Sequence, residues 1–517
     1  GLRDLYEAYL NEAPDLMPFY ASPPSRLLDA VPRPVAWPEP LVNAVRAYNA
    51  RIGLRASFDG TELVVATGQQ PGLFSGPLYT VYKAITCIKL AREVEERSGR
   101  RCVPLFWAAS EDHDFEEAAT AYFLTRKDAP LSLTYAPHQD ISALPMYRVP
   151  LEDWVHEAID TAAREARKSE LTDGVVVFLH ESASASDSLC DWSVRILARL
   201  FRDTPLILFV PHLPEARRLQ AEVLELEIRN PLESTQRLND AGKELSKIGF
   251  QQQVSKADRE CNFFLEVEGR RRKVVYDGSL FQLPEENTDF TQEQLLQLLK
   301  TEPERFSANV ALRPVVQQHL FHALAYVGGP SEVAYWGQLK GIFEQFRQPM
   351  PVVYPRARCV LTTTRLNKLM SKLRLTLHDL EQPMEQVEHL VFHNTSEDPS
   401  YQEVTTARAD VMNRFSRLLE TLKGNDPVAH EMAHAVSGRV DVQFERILDA
   451  LARRNQDRVD VVRRQVERLQ RSLVPWRKPQ ERVYTVVSFL FEHGWGLVAR
   501  LLEDIDIGSF QQHEVEL

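Results

Sequence analysis

Cysteine is scarce and scattered in this chain. Cys87, Cys102, Cys190, Cys261 and Cys359 are odd in number and form no C-x-x-C pair. Neither a disulfide framework nor a cysteine zinc cluster is expected, and a reducing cytoplasm fits. Each reads as a small core residue rather than a nucleophile. No apolar run reaches the length of a membrane span. The opening Gly1-Leu2-Arg3-Asp4 lacks a basic segment leading into an apolar one, so no secretory leader is expected. An excess of basic residues is missing too: 61 Lys plus Arg against 73 Asp plus Glu give a net charge of −12. That argues against nucleic acid or an anionic membrane as partner and leaves room for a local basic pocket.

What is present is the composition of an ordinary globular protein, 44% apolar and 26% charged over 517 residues, enough for two or three domains. Its most informative stretch is Leu63 to Tyr79. Leu63-Val64-Val65-Ala66 reads as a short buried strand, and Thr67-Gly68-Gln69-Gln70-Pro71-Gly72-Leu73-Phe74-Ser75-Gly76 as a tight loop. A helical pattern then starts at Pro77 and passes Leu90. Strand, loop and helix N-terminus aim backbone N–H groups and a helix dipole at one point, which suits phosphate or carboxylate. No Gly-Lys-Ser/Thr closes the loop, and no G-x-G-x-x-G is present. The competing reading is a connection whose glycines serve turn geometry alone.

On the following helix Tyr79 and Lys83 share a face. Val103–Ala109 is apolar almost throughout, as a parallel strand covered on both sides would be. Strands at Val175–His180 and Leu206–Val210 alternate with helices near 151–168, Ser186–Phe201 and Glu215–Arg229. The sheet resumes at Ala325–Pro330 and Pro351–Arg356. The alternation predicts an α/β fold, a parallel sheet with helices on both faces. Segments at about 116–150 and 235–300 read as small insertions, the second with a hairpin of Asn262–Val267 and Lys273–Tyr276. From about 366 to 475 the chain is charged and helical. Val404, Val411, Phe415, Leu418 and Leu422 form one stripe; Val459, Val462, Val466, Leu469 and Leu473 form a coiled-coil seam, interrupted earlier at Asn455 and Arg458. Gly424-Asn425-Asp426-Pro427 would fold two helices back into a hairpin whose use is to bury its stripe against a second copy. Pro475 to Pro479 ends the arm, and within the C-terminal segment 476–517, residues 480–517 read as a closing helix returning to the core.

Ligands of open α/β sheets bind outside the carboxyl ends of the strands, so Glu111-Asp112-His113-Asp114 should share a crevice with the loop at Gly68, Gln69, Gln70, Ser75 and Gly76. A carboxylate beside an imidazole can tune a general base, and the same set could hold a divalent metal. The plain alternative is an acidic turn with Asp112 or Asp114 as a helix cap. Arg313 at a helix start and Arg356 after the last strand could each clamp a carboxylate. Gly329 and Glu332 lie in a second strand–glycine–helix junction, with Tyr335 one turn on; surface salt bridges or caps would explain these equally well. His430-Glu431-Met432-Ala433-His434 matches H-E-x-x-H but lies in the charged helical arm, where such a match arises by chance. Lys368-Leu369-Met370-Ser371-Lys372 is a loose echo of a synthetase lysine loop, one residue out of step.

Three long segments, Thr67–Tyr79, Phe106–Phe115 and Tyr326–Lys340, together resemble the bacillithiol biosynthesis cysteine-adding enzyme family (BshC). The resemblance implies a Rossmann-like core over residues 1–365 with two small inserted connective domains, a long α-helical coiled-coil arm over 366–475 pairing two subunits, and a segment 476–517 returning to the core. It implies a cytoplasmic ligase that joins L-cysteine to glucosaminyl-malate through an amide bond. Near the C-terminus the match keeps only Gln480-Glu481-Arg482. The amide needs an electrophilic carboxylate and a deprotonated amine. The helix start at Ser75–Tyr79, helped by Lys83 or Arg313, is expected to hold the anionic partner; His113, oriented by Asp112 or Asp114, is expected to take the ammonium proton. No cofactor is certain, ATP or ADP being candidates. A nucleotidyl-transferring enzyme for another acid–amine pair is one alternative. The other is a dimeric scaffold with a relic pocket, which requires Glu111–Asp114 and Arg313 to be salt-bridged together with no cavity.

Overall fold

Runs of apolar residues without alternation make strands that must be covered on both faces, and the computed structural model places them at the centre of the first of two units. It describes residues 3–29, 31–55, 57–395, 399–452 and 456–517; Leu2 and Asn455 lie outside these. The first unit comprises residues 1–126, 131–359 and 481–515, the second 127–130, 360–480 and 516–517.

In chain order the first unit contains β1 (Leu63–Gln69), α1 (Leu78–Ser98), β2 (Cys102–Ala108), α2 (Phe115–Ala118), β3 (Ile207–Phe209) and α3 (Pro214–Arg229). An inserted antiparallel sheet follows: β4 (Glu260–Val267), β5 (Arg270–Tyr276), β6 (Phe281–Leu283), β7 (Thr288–Phe290) and β8 (Phe306–Ala308), in the order β8-β4-β5-β6-β7. The chain returns through α4 (Arg313–Phe321), β9 (Ala325–Gly328), α5 (Pro330–Trp336) and β10 (Val352–Pro355). The parallel sheet has the order β10-β9-β1-β2-β3. Strand order reverses between β1 and β9, where Thr67 pairs with Val327. At such a switch point the loops leave the sheet in opposite directions and a crevice opens. Trp107, Phe209 and Phe321 pack together under the sheet, the first two rings 4.7 Å apart.

Two expectations for this unit change. Val175–His180 is not a strand but part of the helix Thr172–Ser184. Its β-branched run favours a strand, yet Thr172, Val175, Leu179, Ser182 and Ala183 are buried at helical spacing, and packing of that stripe decides. The C-terminal segment is two helices, Val487–His493 and Leu497–Asp504, followed by a strand, Gln512–Glu516, rather than one closing helix. The insertion at 116–150 holds the short strands Thr120–Leu124 and Pro130–Thr134.

The second unit is helical: α6 (Thr364–Leu373), α7 (Met384–Thr395), α8 (Pro399–Leu422), α9 (Pro427–Ala452) and α10 (Gln456–Leu473). Helices α8 and α9 pack as a hairpin, tied by Arg408 to Asp441 at 2.6 and 2.9 Å and to Glu445 at 3.0 Å. The α10 seam is spent inside this unit. Val462, Val466, Leu469 and Leu473 bury against Leu366, Met370, Val387 and Val391 of α6 and α7, so it is core and not a seam for a second copy. The hairpin differs: Val428, Met432 and Val436, at successive four-residue intervals on α9, are 70%, 65% and 37% exposed.

Candidate active site

A cavity of about 520 Å³ opens at the switch point. Gly68, Gln69 and Gln70 line it at the end of β1, and Ala109, Glu111, Asp112 and His113 after β2. Gly329, Ser331, Glu332 and Tyr335 follow β9, and Arg313 heads α4. Tyr79 and Lys83 come from α1, as their shared face requires, and Arg356 follows β10. Lys256, Phe264 and Arg271 come from the inserted sheet and the loop before it, and Arg482 from the C-terminal segment.

Ser75 and Gly76 do not line this cavity. Phe74, Ser75 and Gly76 all have positive φ (52°, 69° and 77°), and the Phe74 ring is pinned against Phe123 and Trp192 at 5.0 and 4.9 Å. This turn carries the first amide of α1 to the Tyr484 carbonyl: Leu78 N–H donates to it at 2.8 Å. The first amide of the helix end expected to hold an anion is therefore taken by backbone. The Gly329 N–H is likewise spent, on Glu332 Oε2 at 2.8 Å. A Cβ at Gly329 would stand 3.2 Å from Arg356 Nε and would crowd that guanidinium.

Side chains do what the backbone does not. Lys83 is buried, ion-paired with Glu332, and donates to Gly68 O at 2.9 Å and Gln69 Oε1 at 2.8 Å. Burial pulls the Lys83 pKa down, opposed by Glu332; burial pushes the Glu332 carboxyl up, and Lys83, the Gly329 amide and the Tyr326 hydroxyl outweigh it, leaving that carboxyl below its ordinary value. Lys83 thus cross-links the two junctions and is not the free cation expected. Arg356 pairs with Glu481 at 2.7 Å, both buried. Of the arginines that line the cavity, Arg313 and Arg356 each have one buried guanidinium nitrogen without a hydrogen bond among the described residues, Nη2 and Nε respectively. Arg313 Nη1 is held by Gln317 at 3.0 Å, with its guanidinium 5.3 Å from the Trp107 ring centre.

Glu111 is drawn away from catalysis into an ion pair with the fully buried Arg217. Asp114 does not line the cavity; its carbonyl accepts from Gln70 Nε2 at 2.7 Å, and Asp112 Oδ1 accepts the Asp114 N–H at 3.1 Å. Neither aspartate is hydrogen-bonded to His113. Arg271 is, with Nη1 3.1 Å from Nδ1. Burial, then the Arg271 charge, lowers the His113 pKa. Arg271 in turn falls to about 10, chiefly through burial. Arg271, Lys256, Glu117, Asn309 and Arg482 are lining residues that the sequence reading missed. Asn309 belongs to a buried relay: its Nδ2 donates to Asn262 Oδ1 at 2.9 Å, Asn262 Nδ2 donates to Ser234 Oγ at 2.7 Å, and Ser234 donates to Glu227 at 2.8 Å. Asn309 Oδ1 accepts the Ala311 and Leu312 amides and so sets the start of α4, where Arg313 sits.

The H-E-x-x-H match lies on α9 of the hairpin, and Lys368–Lys372 lies within α6 with Met370 buried. Among the described residues no group of three or more His, Cys, Asp or Glu stands close enough to hold a metal ion. None of the described helices is long and apolar enough to cross a membrane.

Residues 3–357 match the family model described as "Bacillithiol biosynthesis BshC, N-terminal Rossmann-like domain", and residues 359–517 the one described as "Bacillithiol biosynthesis BshC, C-terminal coiled-coil domain". Relatives carrying the name "Putative cysteine ligase BshC" include one from Bacillus cytotoxicus, 28% identical over 92% of this chain and 90% of that protein. Another, from Salinibacter ruber, is 30% identical over 85% and 80%. A solved structure from Campylobacter jejuni, titled "putative arginyl t-RNA synthetase", covers 88% of this chain and 97% of that one at 9% identity; its TM-score of 0.23 carries no argument.

Proposed function

The chain belongs to the BshC family of bacillithiol biosynthesis, and from that premise we propose that it is a ligase joining L-cysteine to glucosaminyl-malate through an amide bond, with the switch-point cavity as its active site. The observation that carries this reading is that two arginines, Arg313 and Arg356, line a cavity to which Asp112 and Glu117 also contribute. Guanidinium groups suit the malyl carboxylates, and carboxylates suit the ammonium groups of cysteine or glucosamine. Side chains contribute to anion recognition here, since the Leu78 N–H at the first junction and the Gly329 N–H at the second are spent internally. The scaffold alternative required Arg313 to be salt-bridged to the Glu111–Asp114 cluster with no cavity; Arg313 is held by Gln317, and the cavity is open.

ATP is the candidate energy source for the amide, with Arg482 the lining cation left to meet its phosphates. We place the enzyme in the cytoplasm, in keeping with five buried cysteines that are all free thiols, and assign the α8–α9 hairpin to pairing of two copies. Mass spectrometry of the purified enzyme with cysteine, glucosaminyl-malate and ATP should show the cysteinyl product together with AMP or ADP. Absence of product under every nucleotide condition would overturn the reading.

A further inference from the structure

Under the ligase reading, on which the following roles rest, the reacting centre needs an acceptor for the proton of the attacking ammonium and a donor facing the acyl oxygen. His113 is not placed to be the acceptor. A neutral imidazole has one lone-pair nitrogen, and Arg271, always a donor, occupies it at Nδ1. Arg271 is itself fixed. Its Nε donates to Ser307 Oγ at 3.0 Å and its Nη2 to Ala308 O at 3.0 Å, and its guanidinium lies 4.0 Å over the Phe264 ring. The ring proton therefore stays on Nε2, and no acceptor among the described residues takes it. A second proton, on Nδ1, would set an imidazolium against Arg271.

Glu117 has the complementary properties. It lines the same cavity, is open to it, and forms no hydrogen bond or ion pair among the described residues. Desolvation and then the charges of Asp114 and Asp112 raise its affinity for a proton, while Arg482 and Lys83 oppose them; Tyr79 of α1 also feels its charge. We propose that Glu117 accepts the proton of the attacking amine and that His113 serves as a neutral Nε2–H donor to the acyl oxygen. An N–H bond of the ammonium breaks and an O–H bond forms on Glu117, which leaves the nitrogen lone pair free; nothing is oxidised or reduced. His113 keeps its proton throughout, and Arg271 is the positioning residue that fixes its tautomer. A neutral histidine held as a donor by its surroundings is a known way of stabilising a developing oxyanion.

The test compares wild type with Glu117→Gln, His113→Ala and His113→Gln in the cysteine, glucosaminyl-malate and ATP assay. Glu117→Gln should lose about 10²–10⁴-fold in kcat, the usual worth of a positioned base. His113→Ala should lose about 10²–10³-fold, as for removal of an oxyanion donor. His113→Gln, which keeps an N–H donor but no titratable group, should recover to within roughly tenfold of wild type. Product from wild type with Glu117→Gln within about twofold of it, or with His113→Gln as slow as His113→Ala, overturns these roles. No product from wild type sinks the ligase reading instead. Nitrogen-15 NMR of histidine-labelled wild-type enzyme, with His113 identified by its loss in His113→Gln, should show a protonated Nε2 and a bare Nδ1 from pH 6 to 8. The opposite tautomer overturns the donor role whatever the activities.

Discussion

Glu227 shows how much a single buried group can tie stability to pH. Its carboxyl accepts from Ser234 and from the Asn262 amide, has no cation beside it, and is pushed by burial to about 7. The folded state thus holds this proton more tightly than the unfolded chain does. The stability so gained is fully present below the ordinary carboxylate pKa near 4.5 and is lost as pH rises through about 7. The shift corresponds to roughly 3 kcal/mol. Glu227→Gln should therefore flatten the fall in thermal midpoint between pH 5 and pH 8, and an unchanged slope would refute the assignment. Arg271 shows why part of the site escaped sequence reading. Arg270-Arg271-Arg272-Lys273 looks like a solvated charge run, but β5 alternates. Arg270 and Arg272 find Asp140, Glu285 and Glu286, while Arg271 alone turns inward to His113. The glycine, histidine and Arg313 positions were legible because each follows a strand end or starts a helix; a register on an inserted sheet carries no such mark.

At the scale of elements, the loop between β1 and α1 was legible as a loop, and its Gly68, Gln69 and Gln70 line the cavity while Ser75 and Gly76 do not. Sequence shows glycines, but not which carbonyl meets the helix end, and that carbonyl comes from Tyr484, far along the chain. Gly76, at φ 77° and ψ −169°, occupies a region that side-chain-bearing residues avoid. Gly76→Ala should cost about 1–3 kcal/mol in urea unfolding and weaken substrate binding by moving Tyr79 and Lys83. A variant of unchanged stability would mean that the loop has slack. The α10 seam teaches a related lesson. Three- and four-residue spacing identifies a face that must be buried without saying against what, and here helices of the same chain supply the cover.

For the whole molecule, the parallel order and the two-part division follow from patterns visible in the sequence, since apolar strands and a long glycine-poor helical stretch are both composition signals. Pairing of two copies, as proposed, would draw on exposed apolar residues of the α8–α9 hairpin, among them Leu418, Val428, Met432 and Val436. Met432→Glu with Val436→Glu should shift the protein from dimer to monomer in light scattering after size-exclusion chromatography, with the helical content kept. A monomeric wild type, or a double variant that stays dimeric, would remove the hairpin from that role.

The first unit is left by the chain at Cys359 and rejoined at Glu481. The residue that neutralises buried Arg356 is thus made long after it, as is Arg482 on the cavity wall. A ribosome translating this message holds a growing chain with the cavity floor already written and its charge uncompensated. Completion of the cavity wall waits on residues 481 and 482, so a product terminated before them would lack both Arg482 and the partner of Arg356.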